Sequence, residues 1–518
     1  MTNYENIRID KEKFEFVTHG EKIHDKKLDT KPIGYFKDAL LRFKKNKSSV
    51  VAFAIIVVLV LFAVFAPMFS QYTVDQRDGF YATALPKNQL LSKIGIWDGT
   101  KWRADTQGGF DYYNAIGVES GMSAVIGTPK ETTNLDGKTV YNYKVDTYYQ
   151  VGYTFKTLPK TEYEQLLAYQ EETGIQIFYP LTASHATAFN GFNNANMWYQ
   201  LDPSAYSVGD DGSVTTTGLA LRDGDGNYIH NYLTDANITE TTTKKAYTGT
   251  RIEGDDGSYI YAAVVQGGYK VRINYYQYYT YTNGHVPSFL FGANGYGQDI
   301  FTCLAGGARL SFLLAIFVSV INLTIGAIYG AIEGYYGGAI DMTMERISDI
   351  LASVPFIVVA TLFQLHLAEK VGPLISLLFA FVLTGWVGMA SRVRMQFYRF
   401  KGQEYILAAR TLGAKDSRLM FKHIFPNSIG TIITGAVLSI PGVIFSESML
   451  SFLGIINLET SSLTSVGTML SQGQGYLTTH PHIILFPAIF ISLLEISFNL
   501  FGNGLRDAFN PSLRGVEE

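Results

Sequence analysis

Cysteine is almost missing from this chain: Cys303 is the only one in 518 residues. That count excludes a disulfide-stapled fold and any metal site built from cysteine pairs. The histidines His185, His230 and His285 stand alone, without the spacing of metal ligands. No G-x-x-x-x-G-K-[ST] segment is present, which excludes a phosphate-cradling loop of that type. No G-x-S-x-G elbow marks a hydrolase nucleophile. Charged residues make up only 17%, and they are missing in runs rather than thinned evenly.

Those uncharged runs are the main positive signal. A bilayer core of roughly 30 Å needs about 20 apolar helical residues. Residues 50–69 contain no charge, and they lie too far into the chain and run too long to read as a signal peptide. Five further runs follow at 310–332, 350–367, 371–390, 429–453 and 483–501; the second of these five is the weakest, being short and carrying Pro355, Gln364 and His366. A single such run could be a buried helix of a water-soluble core, but six in one chain predict a polytopic α-helical membrane protein with six transmembrane helices.

Basic residues orient the spans, because they are retained on the cytoplasmic side. Lys37, Arg42, Lys44, Lys45 and Lys47 precede the first span. Between the fourth and fifth lie Arg392, Arg394, Arg399, Lys401, Arg410, Lys415, Arg418 and Lys422, against Glu404 and Asp416 alone. Arg506 and Arg514 follow the sixth. With six spans these three clusters fall on one side, so both termini are expected in the cytoplasm of a cell-membrane protein. The expected organisation is a cytoplasmic segment 1–48, a first span 49–70, an outer region 71–290, a five-helix core 291–508 and a cytoplasmic tail 509–518.

The outer region is a different kind of sequence. It holds 25 of the 34 tyrosines, and its 23 Asp and Glu exceed its 16 Lys and Arg. Short runs of Tyr, Val, Ile and Thr alternate with turn signals at 135–138, 210–212, 225–227 and 255–257. Asp-Gly between such runs is a strong hairpin signal, so a β-rich (α+β) domain inserted between helices 1 and 2 is expected. One helix is expected at 161–172, with Thr161 and Glu164 as a capping box. Asp223, Asp225 and Asn227 resemble the start of a calcium loop. Tyr228 stands where that loop needs Gly, and Thr234 where it needs a bidentate Glu, which favours a hairpin turn. The tyrosines read as core and surface of a β-rich domain, with a binding surface as the alternative.

The stretch richest in information runs from residue 401 to 427 on the cytoplasmic side. Residues 401–412 predict a short helix that ends at Gly413, since helices commonly stop at a left-handed glycine. Asp416 or Ser417 then starts a second short helix, and Pro426 marks the beginning of the fifth span. Ala408 and Ala409 carry little bulk, which lets the helix lie close to another surface. A basic, partly apolar helix–Gly–helix elbow suits a groove on a cytoplasmic partner; lipid headgroups are the plainer occupant.

With Ala408, Ala409, Gly413 and Pro426 at their spacings, this loop resembles the EAA loop of ABC importer permeases. The family's Glu falls on Leu407, its Ile on His423 and its Leu on Phe425. Glu404-Tyr405 upstream and the 422–427 segment Lys-His-Ile-Phe-Pro-Asn are similar to the branch that handles oligopeptides, dipeptides and nickel. So are Gly307-Ala308-Arg309-Leu310-Ser311, the 334–338 turn with Asp341 and Arg346, the 451–454 segment, and Gly502-Asn503-Gly504-Leu505-Arg506-Asp507 with Asn510-Pro511. The resemblance covers about 35–70 and 288–515 and is greatest to the C-type oligopeptide permeases; the inserted region is no part of it. It implies a binding-protein-dependent importer permease fold and a transport subunit rather than an enzyme. The implied partners are a second homologous permease, two cytoplasmic ATPase subunits, an extracytoplasmic substrate-binding lipoprotein, membrane lipid and a peptide substrate. No cofactor, metal or nucleic acid is implied. ATPase coupling is carried over to Glu404, Ala408, Ala409, Gly413, Ala414 and Pro426.

Three residues in the spans are candidates for the pathway. Glu447 and Glu495 are ionisable groups at membrane depth, with solvation at the outer surface as the alternative for Glu447. Pro441, followed by Gly442, loosens the fifth helix near its middle. Importers of dipeptides, nickel or another small solute remain open. An exporter-type or mechanotransmission protein is less consistent with six spans and the elbow. A membrane-anchored outer enzyme lacks a catalytic set in 71–290. A channel or secondary transporter leaves the elbow unexplained and shows no inverted repeat.

Overall fold

The computed structural model describes residues 35–183, 194–208, 214–234, 251–253, 259–460 and 463–509. The turn signals at 210–212 and 255–257, His185, Arg514 and the Asn510-Pro511 pair lie outside the described residues. The first described helix is α1 (Tyr35–Lys45), whose Ala39 and Phe43 pack on Ala508 near the end of the last described helix. Asn46 caps α2 (Lys47–Phe69) by accepting from the Ser49 N–H. With no charge after Lys47, this helix is apolar on every face, as a lipid-facing helix must be.

A β-containing region follows. One antiparallel sheet has the order β1-β3-β2, from β1 (Thr100–Asp105), β2 (Val125–Thr133) and β3 (Thr139–Asp146), with α3 (Gln107–Ser120) between β1 and β2. The hairpin expected at 135–138 joins β2 to β3, and Asn134 Oδ1 holds it by accepting from the N–H groups of Asp136 and Lys138. After β4 (Tyr153–Leu158) comes α4 (Lys160–Thr173), then β5 (Phe178–Tyr179) and a hairpin of β6 (Tyr206–Val208) with β7 (Val214–Thr216). Thr161 is not the cap of α4: the helix starts one residue earlier, behind Pro159, and makes no side-chain cap. Proline's fixed φ already sets the chain's direction there. The second sheet runs β4-β10-β9-β8, with β5 also on β10. Its other strands are β8 (Arg251–Glu253), β9 (Ile260–Val265) and β10 (Gly268–Asn274). The region closes with α5 (Tyr275–Asn283).

Tyrosine builds the interior of this region. Tyr81, Tyr143, Tyr148 and Tyr199 are fully buried, and Tyr81 is surrounded by the rings of Tyr148, Tyr275, Tyr279 and Phe289. Each tyrosine adds apolar area and then demands a partner for its hydroxyl: Tyr148 donates to Leu85 O at 2.8 Å and Tyr143 to Asp105 at 2.8 Å. Arg272 on β10 is 0% exposed, pairs with Glu119 of α3 at 2.6 Å and lies over the Tyr153 ring. This ion pair ties the first sheet's helix to the second sheet.

Asp299 caps α6 (Ile300–Tyr336) through the Thr302 N–H, so this helix starts ten residues before the apolar run that predicted it. Next come α7 (Gly338–Ala352) and α8 (Phe356–His366), which pass the length and composition of a span only together and are bent by 70°. Pro355 is the cause, since it has no N–H to continue the ladder and forbids helix in the residue before it. The single straight span expected at 350–367 is therefore replaced by a bent pair. Short α9 (Ala368–Val371) leads into α10 (Pro373–Gly385) and α11 (Val387–Lys401), which run as one apolar length. After α12 (Glu404–Thr411), a continuous helix begins at α13 (Asp416–Arg418), passes a π turn at Leu419–Ile424 and becomes α14 (Phe425–Phe452). The last helices are α15 (Val466–Gln474) and α16 (His482–Phe509). Among the described residues, five helices are long and apolar enough to cross a membrane, and the bent pair is a sixth candidate.

The β-containing region and the helices are joined along one end of the helix bundle. Trp97 packs edge-on against Phe291 and Phe486, Arg77 pairs with Glu459 at 2.8 Å, and Gln298 donates to Val74 O. Gly297 touches the Asp78 carbonyl so closely that a Cβ there would lie 1.7 Å from it.

Candidate functional site

The elbow forms as a compact turn at one end of the bundle. Helix α11 stops at Lys401, and a break at Gly402-Gln403 separates it from α12, where one helix over 401–412 was expected. Gly413 has φ +84°, a left-handed value that any side chain would strain. Ile406 is the buried anchor of α12; with Leu419, Met420 and Ile424 it fills a cluster against Tyr335, Val393 and Phe397 of α6 and α11. Ala409 and Ala414 pack on this cluster, whereas Glu404, Ala408 and Pro426 are exposed. Pro426 does not divide a short helix from a span. The π turn just before it carries the helix past the carbonyls that proline leaves without a donor, and Asn427 Nδ2 donates to His423 O at 2.7 Å. A polar tie fixes the elbow to α6: Tyr335 donates to Asp416 at 2.6 Å and accepts from Arg410 at 3.2 Å. The outward surface is apolar as well as basic, with Leu412 at 89% exposure beside Leu407, Tyr405 and Phe421.

The base of the elbow is stiff because α6 and α11 touch backbone to backbone. A Cβ on Gly326, Gly330 or Gly334 would lie 2.8, 2.1 or 2.7 Å from the carbonyls of Trp386, Ala390 and Arg394. This stripe of glycines at every fourth position is the close-packing device of membrane helices. Below it, Arg394 is bidentate to Asp341 of α7 at 2.6 and 3.0 Å and also pairs with Glu345 and Glu333. Tyr398 donates to the same Asp341. The three carboxylates have the proximity of a cation site, but the guanidinium occupies the space between them.

Two cavities open beside α14. The inner one, of about 180 Å³, is lined by residues of α6, α10, α11 and α14: Ser319, Asn322, Arg392 and Ser439 supply polar groups beside Leu323, Met389 and Leu438. The other, of about 400 Å³, lies at the elbow end and holds Arg392, Gln396, Arg399, Thr434 and Arg506. Arg392, Gly435 and Leu438 line both, so the cavities adjoin.

The predicted pathway residues fall elsewhere. Pro441, Glu447 and Glu495 line neither cavity. Glu447 is 0% exposed and is held by Ser311 at 3.0 Å and Ser451 at 3.1 Å, so outer-surface solvation does not describe it. Glu495 is half-buried on α16, with one carboxylate oxygen lacking a partner. Pro441 is buried, and α14 runs through it without a break. In the β-containing region, Asp223 Oδ1 accepts from the N–H groups of Asp225 and Asn227 while Arg222 pairs with Tyr228 across the turn. This is a hairpin turn in which the calcium-like residues bind one another. His230 stacks on Tyr232 and His285 meets Tyr72 edge-on. The glycine stripe and the Asn322–Arg392 wall were missed from the sequence; a Gly every four residues in an apolar run was the legible signal for the first, and nothing local marked the second.

Two family models match. Residues 322–515 match the binding-protein-dependent transport system inner membrane component, and 34–88 the N-terminal TM domain of oligopeptide transport permease C. The oligopeptide transport system permease protein OppC of Bacillus subtilis (strain 168) is 44% identical over 224 residues, covering 43% of this chain and 72% of that protein. The dipeptide transport system permease protein DppC of the same organism is 41% identical over 225 residues, covering 43% and 69%. Among solved structures, an inward-facing MetNI methionine ABC transporter aligns over 40% of this chain and 96% of its own, with 17% identity and a TM-score of 0.34.

Proposed function

Because the chain belongs to the C-type permease family of oligopeptide and dipeptide transport systems, we propose that it forms half of the translocation pathway of an ABC importer for peptides. It works with a sister permease, two ATPase subunits and a binding protein. On this reading the bent α7–α8 pair is one of six spans, both termini are cytoplasmic, and the β-containing region stands outside between the first two spans. The basic clusters beside the first span, around the elbow and after the last span support that orientation.

The observation that carries the coupling role is the elbow's surface. Its inner side is anchored to α6 and α11 by Ile406 and the Tyr335–Asp416–Arg410 tie, while Leu412 and Leu407 project outward among cations. A rigidly held apolar knob on a basic surface fits a groove of another protein, and movement of that protein is passed to α6 and α11 through the same anchor. Glu404, Ala408, Ala409, Gly413, Ala414 and Pro426 shape this element.

The test is a reconstituted complex carrying Leu412→Asp or Gly413→Val. Removing a buried interface anchor costs about 2 kcal/mol or more, so ATPase subunits should dissociate on purification and uptake should fall, with binding of substrate to the binding protein unchanged. Normal uptake and retention of the ATPase subunits in both variants would rule out coupling at this loop. For the outer region the reading is a docking surface for the binding protein above the pathway, motivated by its seat on the outer ends of the helices; a scaffold packed on the sister permease is the alternative. Importers of nickel or another small solute share the same architecture, and peptide is favoured by the named relatives.

A further inference from the structure

The adjoining cavities beside α14 differ in charge and in what they leave unpaired. Asn322 is 9% exposed, and its amide donates weakly to Phe381 O at 3.5 Å while its Oδ1 has no partner. A buried acceptor without a donor is costly in a membrane core. Asn322 lines the inner cavity with Ser319 and Ser439, while its orphaned oxygen itself is closed off from the open space. At the elbow end the lining turns basic: Arg392, Arg399 and Arg506 converge, and no acidic residue lines the cavity. None of the three forms an ion pair among the described residues. Arg392 belongs to both cavities, and it lies across α14 at Gly435, where a Cβ would come within 2.7 Å of its Nη1. Only glycine lets the guanidinium take this place.

A guanidinium with no carboxylate partner of its own matches a ligand carboxylate in a bidentate pair. The geometry points to a binding site for the C-terminal carboxylate of an extended peptide at Arg392, with the chain behind it lying along the inner cavity past Ser319, Asn322 and Ser439. The inference rests on the importer reading and adds to it a polarity: the substrate's C-terminus leads toward the cytoplasm. Arg399 and Arg506 continue the positive surface to the exit.

The shared chemistry is an anion on a guanidinium, and an anionic lipid headgroup could supply it too. The experiment uses the complete complex in liposomes of zwitterionic lipid, and again with anionic lipid added. A short labelled peptide and its C-terminal amide are supplied at equal occupancy of the binding protein. Direct binding of both to the assembled complex without the binding protein is measured alongside. The free acid is expected to exceed the amide by about tenfold, the size of one charge-assisted contact. That ratio should fall toward one in Arg392→Gln and in Gly435→Ala, which displaces the guanidinium without removing it, and should be the same in both lipids. Equal handling of acid and amide by the unmodified complex, or an unchanged ratio in both variants, overturns the proposal. So does a ratio that follows the anionic lipid, which assigns the site to headgroups. Failure of the unmodified complex to take up any peptide would instead overturn the importer reading.

Discussion

Asp299 is a residue whose two duties conflict. Its Oδ2 caps α6 through Thr302, but its Oδ1 is buried without a partner, and burial pushes its pKa up to about 6. A carboxyl raised above its ordinary 3.8 binds more protons folded than unfolded between those values. Its contribution to stability is therefore present at low pH and lost as pH rises through about 6. Asp299→Asn keeps the capping oxygen and removes the titration. Thermal unfolding of the purified complex should show less loss between pH 4 and 7 in this variant than in the unmodified protein; identical pH profiles would refute the assignment. The sequence let Asp299 be seen only as a polar residue before an apolar run. That it is buried depends on the β-containing region folding over the helix end.

The α6–α11 pair shows how elements were readable singly and opaque in pairs. The length of the uncharged runs found α6 from residue 310 onward but only the first turn of α11, at the end of the 371–390 run, and the composition of residues 401–413 predicted a helix stopped by a left-handed glycine. Which face met which neighbour was decided by Gly326, Gly330 and Gly334. Gly330→Ala should push the helices apart at the Ala390 carbonyl, at a cost of about 1–3 kcal/mol typical of overpacking. A lowered unfolding temperature and impaired uptake are expected, whereas Gly442→Ala, where the added carbon meets nothing within 4 Å and lies in neither cavity, should be tolerated. Equal tolerance at both positions would contradict the close packing. The π turn before Pro426 was unreadable for a related reason. A proline marks a disturbed ladder, but whether the helix ends or absorbs the disturbance is set by what packs beside it, here the Ile424 and Met420 contacts.

At the scale of the molecule, the β-containing region is seated through Trp97, Arg77, Gln298 and Gly297 on the ends of the helices. If it docks the binding protein, deleting residues 75–285 should abolish stimulation of ATPase activity by that protein while leaving basal ATPase activity measurable. Normal stimulation after the deletion would leave the scaffold reading. The sequence by itself determined the membrane class, the apolar runs, the elbow with its glycine and the β character of the insert, because each follows from local composition and spacing along the chain. Only the tertiary structure decided that the α7–α8 candidate is bent, that Glu447 is enclosed by serines, and that an asparagine and an arginine from different helices face one continuous cavity. Those outcomes depend on residues distant in sequence competing for the same space, and no local pattern records who wins.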